Sequence, residues 1–205
     1  MTRNPQKLTP PTEVEFIAQS TIPTDKGKLH IRAYRDHRTG TEPLAMFFKD
    51  CSGQEDVPVR IHDACLTSEV LGSLKCDCKF QLDYAINYIK QNGGVVIYLH
   101  QEGRGIGIAN KIAAYSLQEE GLDTIEANEA LHLPVDAREY STAAKILRNM
   151  NIISIQLLTN NPMKIQKLRD ENIVIKNRLG ISSPKNEFNE RYLETKSSQM
   201  GHFLE

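Results

Sequence analysis

Three of the four thiols in this chain fall close together: Cys65, then Cys76 and Cys78 one residue apart. A segment long enough for one helix separates Cys65 from the pair, so a loop and a turn can bring the three sulfurs to one point. Clustered soft thiolates of this kind are ligands for zinc. A structural zinc site is closed by four protein ligands, whereas a catalytic one keeps three and leaves the fourth position to water. The open kind lowers the pKa of that water to about 7 and so provides a hydrolytic nucleophile at neutral pH. Cys51 or His62 as a fourth ligand would close the site, and buried, inert cysteines are the reading without a metal.

Other loops carry groups suited to a nucleotide. His100-Gln101-Glu102-Gly103-Arg104-Gly105-Ile106-Gly107 follows an apolar run and opens a helical one. Small residues free its backbone amides, and with Arg104 and a helix N-terminus these suit a phosphate. The run is neither GxGxxG nor a Walker loop, and a strand-to-helix turn needing glycine dihedrals has the same pattern. The Glu102 carboxylate can accept both the N1–H and the exocyclic amine of guanine, or be a solvated loop charge. Asp136 and Arg138 follow Pro134 at a helix entrance, where capping and surface charge compete with chemistry. Thr159, Asn160 and Lys164 stand where a strand gives way to a helix, the place where open α/β sheets bind ligands. Lys164 can reach a phosphate there, or face solvent.

The elements that must position these groups can be read from pattern. Glu13 to Ser20, Lys28 to Arg35, Leu44 to Lys49 and Val57 to Ile61 are β-rich runs between turn signals, and are expected to form an antiparallel sheet. Helical patterning covers Ser68 to Leu74 and Phe80 to Gln91, the second stopped by Asn92-Gly93-Gly94. Val95 to Leu99 is a buried strand leading to a helix over Ile106 to Glu120, and Thr142 to Asn149 is helical. Ile153 to Leu158 leads to a helix over Pro162 to Glu171, with Asn161 as N-cap and Pro162 at the first helical position. Ile173 to Lys176 supplies a parallel partner strand. The fold class is α+β, a mixed β-sheet with flanking helices.

Composition narrows the function. With 205 residues and 40% hydrophobic content, the expectation is a flexible tail over 1–12 and a single catalytic domain over 13–205. The 25 basic and 26 acidic residues nearly cancel, which excludes the basic footprint of a duplex nucleic-acid binder. The apolar runs fall short of a membrane span, and the polar, proline-containing start is unlike a signal peptide, so a cytoplasmic protein is expected. In that reducing compartment the cysteines are not a disulfide framework.

Taken together, the chain resembles GTP cyclohydrolase II, which opens the guanine ring of GTP in the first committed step of riboflavin biosynthesis. The resemblance rests on Arg60-Ile61-His62 with Cys65-Leu66-Thr67, Lys75-Cys76-Asp77-Cys78, Gln81-Leu82, Gln101-Glu102-Gly103-Arg104, Asn110-Lys111-Ile112 and Tyr115. It continues through Asp123-Thr124, Ala127-Asn128, Asp136-Ala137-Arg138, Leu157 to Pro162, and Tyr192-Leu193, Thr195-Lys196 and Met200-Gly201-His202. It implies a GTP cyclohydrolase II-like fold and catalytic Zn2+ on Cys65, Cys76, Cys78 and a water, with Cys51 a bystander. It implies GTP contacts from Arg60, Ile61, His62, Asp63, Ala64, Gln81, Glu102, Gly103, Arg104, Thr124, Thr159 and Lys164, with Mg2+ on the triphosphate. Asp136 takes the acid/base position, Tyr115 the ring-processing tyrosine, and Arg138 the position of a proposed nucleophile on the α-phosphorus. A protonated guanidinium has no free lone pair, so Arg138 can act instead as an electrostatic clamp. A homodimer is a further implication.

The chain departs from the family pattern at Asp63-Ala64, where Ser-Glu is usual, at His132, where glycine is common, and at Leu179-Gly180-Ile181 in place of Val-Pro-Leu. These changes leave open a paralogue with an altered purine nucleotide or one that stops at the formamidopyrimidine. A non-catalytic, zinc-stabilised nucleotide-binding module is the alternative from another class.

Overall fold

A computed structural model describes residues 13–189, Gly201 and Phe203. The expected tail over 1–12 and most of the closing motif, Tyr192 to Met200 and His202, lie outside the described residues. The strands are β1 (Val14–Thr24), β2 (Gly27–Asp36), β3 (Leu44–Phe47), β4 (Val57–Asp63), β5 (Val95–Leu99), β6 (Ile155–Leu158) and β7 (Ile175–Leu179). They form one mixed sheet in the order β1-β2-β3-β5-β4-β6-β7. The helices are α1 (Leu66–Glu69), α2 (Cys78–Asn92), α3 (Ile108–Glu119), α4 (Thr124–Ala130), α5 (Ser141–Asn149) and α6 (Pro162–Asp170).

Central β4 shows how side-chain alternation builds both the core and the site. Val57, Val59 and Ile61 enter a core shared with Ala143, Ile146 and Leu147 of α5 and Leu168 of α6. On the opposite face of the sheet, Val96 and Leu158 pack with Ala85 and Ile89 of α2. Arg60 and His62 alternate with the core residues of β4 and so leave that first core. Helices cover both faces of the sheet, and β5 and β6 feed both cores, Val95, Ile97, Ile155 and Leu157 on one face and Val96 and Leu158 on the other, whereas β4 gives its second face to Arg60 and His62.

The α+β class and mixed sheet hold, while the strand directions correct the expected antiparallel quartet. β1, β2, β3 and β5 pair antiparallel in that order, but β4 lies parallel between β5 and β6, and β7 is parallel to β6. A connection through α1 and α2 returns the chain from β4 to β5 in the same direction, as a parallel pair requires. The helix expected over Ser68–Leu74 shortens to the single turn α1, which ends before Gly72 takes a left-handed φ of 71°. An unanticipated helix, α4, begins at a complete capping box. The Asp123 carboxylate accepts from Ile125 and Glu126 N–H, and Glu126 accepts from Asp123 N–H. Asn161 caps α6 as expected, accepting from Met163 N at 2.9 Å ahead of Pro162.

Candidate active site

The parallel strands β4, β5 and β6 all end on one side of the sheet, and the candidate groups gather there. Asp63 is the last residue of β4, Glu102 follows β5 in a short 3-10 turn over Glu102–Gly105, and Thr159 follows β6. Together with Cys65, Cys76 and Cys78 they line one cavity. This is the position at which open parallel sheets bind ligands.

The cysteine sulfurs converge. Cys65 precedes α1 as its N-cap and Cys78 is the first residue of α2, so helix starts present both thiols. The three Sγ atoms lie within 4.8 Å of one another, and the Cys65 and Cys76 sulfurs are 3.7 Å apart. Tetrahedral zinc with Zn–S bonds near 2.3 Å separates its sulfurs by about 3.8 Å, so the donor set fits the ion in chemistry and in spacing. Neither Cys51 nor His62 belongs to this group. Cys51 is buried in the main core with its thiol donating to Lys49 O, and His62 Nε2 meets Glu69 Oε1 at 2.8 Å. The Cys76 and Cys78 thiols donate to the Cys65 sulfur and, with Lys111 Nζ at 3.1 Å, hold its thiol well below the ordinary range. The same sharing pushes Cys76 and Cys78 up.

Opposite the thiols stands a network of buried ions. Asp63 Oδ2 accepts from Arg138 Nη1 at 3.0 Å, Lys164 Nζ at 3.0 Å and Tyr140 OH at 3.2 Å. Burial alone would raise the Asp63 carboxyl, but the Lys164 and Arg138 cations outweigh it and hold the pKa at about 2. Burial pushes Lys164 down to about 8, with the Arg60 and Arg138 charges adding to burial and Asp63 opposing it. Arg138 is further held by Asp136, through Nε to Oδ1 at 2.9 Å and Nη2 to Oδ2 at 2.5 Å. Asp136 does not line the cavity itself; it reaches the site through this arginine.

The segment carrying Asp136 and Arg138 is fastened to the glycine-rich loop. Ala137 N–H donates to Arg104 O, and Glu139 N–H donates to Gln101 Oε1 at 2.7 Å. A Cβ on Gly105 would stand 3.1 Å from the Ala137 carbonyl carbon, so this close approach requires glycine. Arg104 adopts a left-handed φ of 61°, an uncommon conformation outside glycine.

The remaining expected groups divide. Arg60 donates to Leu158 O at 3.1 Å and to Gln81 Oε1 at 2.5 Å, and both Arg60 and Gln81 line the cavity. Ala64, Gly103, Arg104, Tyr115, His62, Thr159 and Lys164 line it too. The Ile61 side chain is instead in the core, and only its carbonyl takes part, accepting from Lys164 Nζ at 2.7 Å. Thr124 opens α4, and its side chain lies outside the described residues. Glu102 is more committed than expected: Oε1 accepts from Lys111 Nζ and Gly103 N–H, and Oε2 from Leu66 N–H at 2.6 Å. A carboxylate offers about four acceptor positions, so roughly one remains for a ligand.

Comparison with known proteins bears on this arrangement. A family model described as GTP cyclohydrolase II matches residues 15–180. The chain belongs to the GTP cyclohydrolase II family. It is 46% identical over 192 residues to "GTP cyclohydrolase-2" of Picrophilus torridus, covering 93% of this chain and 100% of that protein. It is 43% identical to "GTP cyclohydrolase-2" of Shewanella amazonensis, covering 93% of this chain and 94% of that one. Against "Riboflavin biosynthesis protein RibBA" of Chlamydia muridarum it is 48% identical over 193 residues, and it spans only 46% of that protein's length. Among the described residues no helix is long and apolar enough to cross a membrane.

Within this cavity and around it, several groups carried no assigned role in the sequence reading. Lys111 and Asn128 line the cavity, and Gln101 ties its two loops together. Lys111 had a legible signal, since it sits four residues before Tyr115 and so shares its helix face. Tyr140 and Glu69 act through hydrogen bonds across 77 and 29 positions, to Asp63 and Tyr98, which no local pattern announces.

Proposed function

We propose that this chain is a zinc-dependent GTP cyclohydrolase II. It would convert GTP to 2,5-diamino-6-(5-phospho-ribosylamino)pyrimidin-4(3H)-one, formate and diphosphate. The observation that carries the reading is the convergence of Cys65, Cys76 and Cys78 on one wall of a cavity whose other walls hold the Arg138, Lys164 and Asp63 network. Zinc held by the three thiolates supplies a Lewis acid and a water activated at neutral pH.

The chain's own residues then divide the remaining work. Three hydrolytic cleavages are needed, at the α–β phosphoanhydride, at the imidazole ring and at the resulting formamide. Arg138 is held by two carboxylates, which keep its guanidinium protonated, so it serves as a clamp on phosphate charge rather than as a nucleophile. Asp136 aligns that clamp and occupies the acid/base position. Tyr115 orients water or donates to the developing oxyanion. Glu102 offers its remaining acceptor position to guanine, with Gly103, Arg104, Gln81, Thr159 and Thr124 around the nucleotide.

Arg138 and Lys164 are already paired with carboxylates, so the triphosphate needs further cationic help, which supports Mg2+ as its companion. The same reading takes residues 13–205 as one catalytic domain, working in the cytoplasm as a homodimer with neither a nucleic-acid nor a membrane partner. It leans on the nearly balanced charge and on the length of the relatives named GTP cyclohydrolase-2.

The test is to incubate the full chain with GTP, Zn2+ and Mg2+ and to identify products by mass spectrometry. Formate, diphosphate and the diaminopyrimidinone are expected, and a chelator should abolish them. Accumulation of the formamidopyrimidine, or intact GTP, would overturn the reading. Cys76→Ser should lose zinc and ring opening while keeping its far-UV circular dichroism, because none of the three cysteines belongs to either hydrophobic cluster. Unfolding of that variant would favour a zinc-stabilised binding module instead.

A further inference from the structure

Lys111 on α3 is a buried ammonium whose three donors are all engaged. Nζ meets Cys65 Sγ at 3.1 Å, Thr67 Oγ1 at 2.9 Å and Glu102 Oε1 at 2.7 Å. An ammonium has three N–H groups and no acceptor, so this tripod satisfies it completely. Removing a charged amine from water is costly, and close anions offset that cost. A thiolate and a carboxylate are the two anions supplied here.

The charge count explains why a cation belongs at this point. A divalent metal with three thiolates carries a net charge of −1, and the Glu102 carboxylate adds another beside it. One ammonium between Cys65 and Glu102 offsets half of that surplus. A hydrogen bond to a ligating sulfur also draws electron density from it, so the sulfur donates less to the metal and the metal stays a stronger Lewis acid. The geometry of the loop depends on the same side chain. A Cβ on Gly103 would come within 3.1 Å of Lys111 Cβ, so the glycine turn lies directly on the lysine stem. Glu102 in turn accepts from Leu66 N–H, the residue after Cys65.

We propose that Lys111 is a positioning residue of the metal centre. Its ammonium offsets the excess negative charge of a three-thiolate divalent metal through Cys65, and it fixes the Glu102 loop against that same ligand. Metal affinity and the placement of a substrate-facing carboxylate therefore depend on one side chain. This inference rests on the zinc reading above.

The test measures metal binding directly, with no nucleotide present. Zn2+ affinity of the full chain is determined by competition with a chromophoric chelator, and the Co2+-loaded protein is examined by absorption. Far-UV circular dichroism monitors the fold of each variant. Lys111→Met, close in volume and apolar, is expected to bind Zn2+ about 10- to 100-fold more weakly. Its sulfur-to-cobalt charge-transfer band should move to longer wavelength as the thiolate loses its hydrogen bond. Lys111→Gln keeps a donor without the charge and should fall between Lys111→Met and the parent, while Lys111→Arg should recover part of the affinity. Glu102→Gln, which leaves the ammonium on Cys65, should bind Zn2+ at least as tightly as the parent. Parent-like affinity with an unshifted band in both Lys111→Met and Lys111→Gln overturns the inference alone. A parent chain that binds no Zn2+ overturns the metal reading together with it.

Discussion

Arg138 and Asp63 meet at 3.0 Å beneath the cavity, and Lys164 reaches the same carboxylate oxygen at 3.0 Å. One buried anion therefore serves two buried cations. Taking that anion away leaves Lys164 with no carboxylate partner and Arg138 with Asp136 alone, so Asp63→Ala is expected to cost about 3 kcal/mol in urea denaturation at neutral pH. The carboxyl's folded pKa of about 2 lies below its ordinary 3.8, so its contribution is complete above that ordinary value. It fades as pH falls from 3.8 toward 2, because the unfolded chain takes up the proton first. The parent should lose about 2 kcal/mol across that window, a loss that Asp63→Ala should lack. Equal acid profiles for the two proteins would contradict the role given to Asp63.

Lys164 makes a prediction at the other end of the scale. Its ammonium is pushed down to about 8 in the free protein, chiefly by burial, so it is charged at neutral pH and neutral in mild alkali. If Lys164 grips a phosphate, losing its proton loosens that grip. The profile of kcat/KM, which reports groups in the free enzyme, should fall by about tenfold as pH rises through about 8. Lys164→Met should already be low at pH 7 and show no such fall. A parent profile that stays flat well above that value would remove Lys164 from the substrate grip.

How much of this was legible in the sequence depends on the range of the force involved. The thiol cluster and the Asn161-Pro162 helix start are local patterns, and both are present. The place of β4 between two parallel strands was not legible, because strand direction is set by crossovers that side-chain alternation does not encode. α4 could have been found, since Asp123 and Glu126 stand at capping-box spacing before it. The substitution of Asp63 for serine looked like a loss of pattern. Its sense lies in Lys164 and Arg138, 101 and 75 positions away.

His132 illustrates a departure that the backbone explains. It follows the last turn of α4 with a φ of 54°, in the left-handed region that glycine favours. Leu133 N–H bonds to Asn128 O and His132 N–H to Glu129 O, which is the Schellman pattern of helix termination. A glycine would meet this backbone need freely, and histidine meets it under strain. His132→Gly should raise stability by about 0.5 kcal/mol, because relief of the left-handed strain exceeds the added freedom of the unfolded chain. The urea midpoint should rise at an unchanged m-value, and GTP turnover should stay as it was. A lower midpoint would show that the histidine side chain makes contacts worth more than the strain.

Tyr115 separates packing from chemistry. Its ring lies under two ammonium groups, Lys75 Nζ at 4.8 Å and Lys111 Nζ at 5.8 Å from the centroid, and it faces the cavity shared with the thiols. Phenylalanine keeps that ring and both cation–π contacts. Tyr115→Phe should therefore retain the melting temperature and Zn2+ stoichiometry of the parent. If the phenol orients water or donates to an oxyanion, turnover should drop by about 100-fold or more. The loss should fall in kcat rather than in KM, because the hydroxyl is asked to act on charge that develops only during reaction. If Arg138 rather than the phenol serves phosphoanhydride cleavage, that step should survive, so diphosphate would still be released while formate is not. A Tyr115→Phe variant that forms formate at the parental rate would make this tyrosine a packing residue.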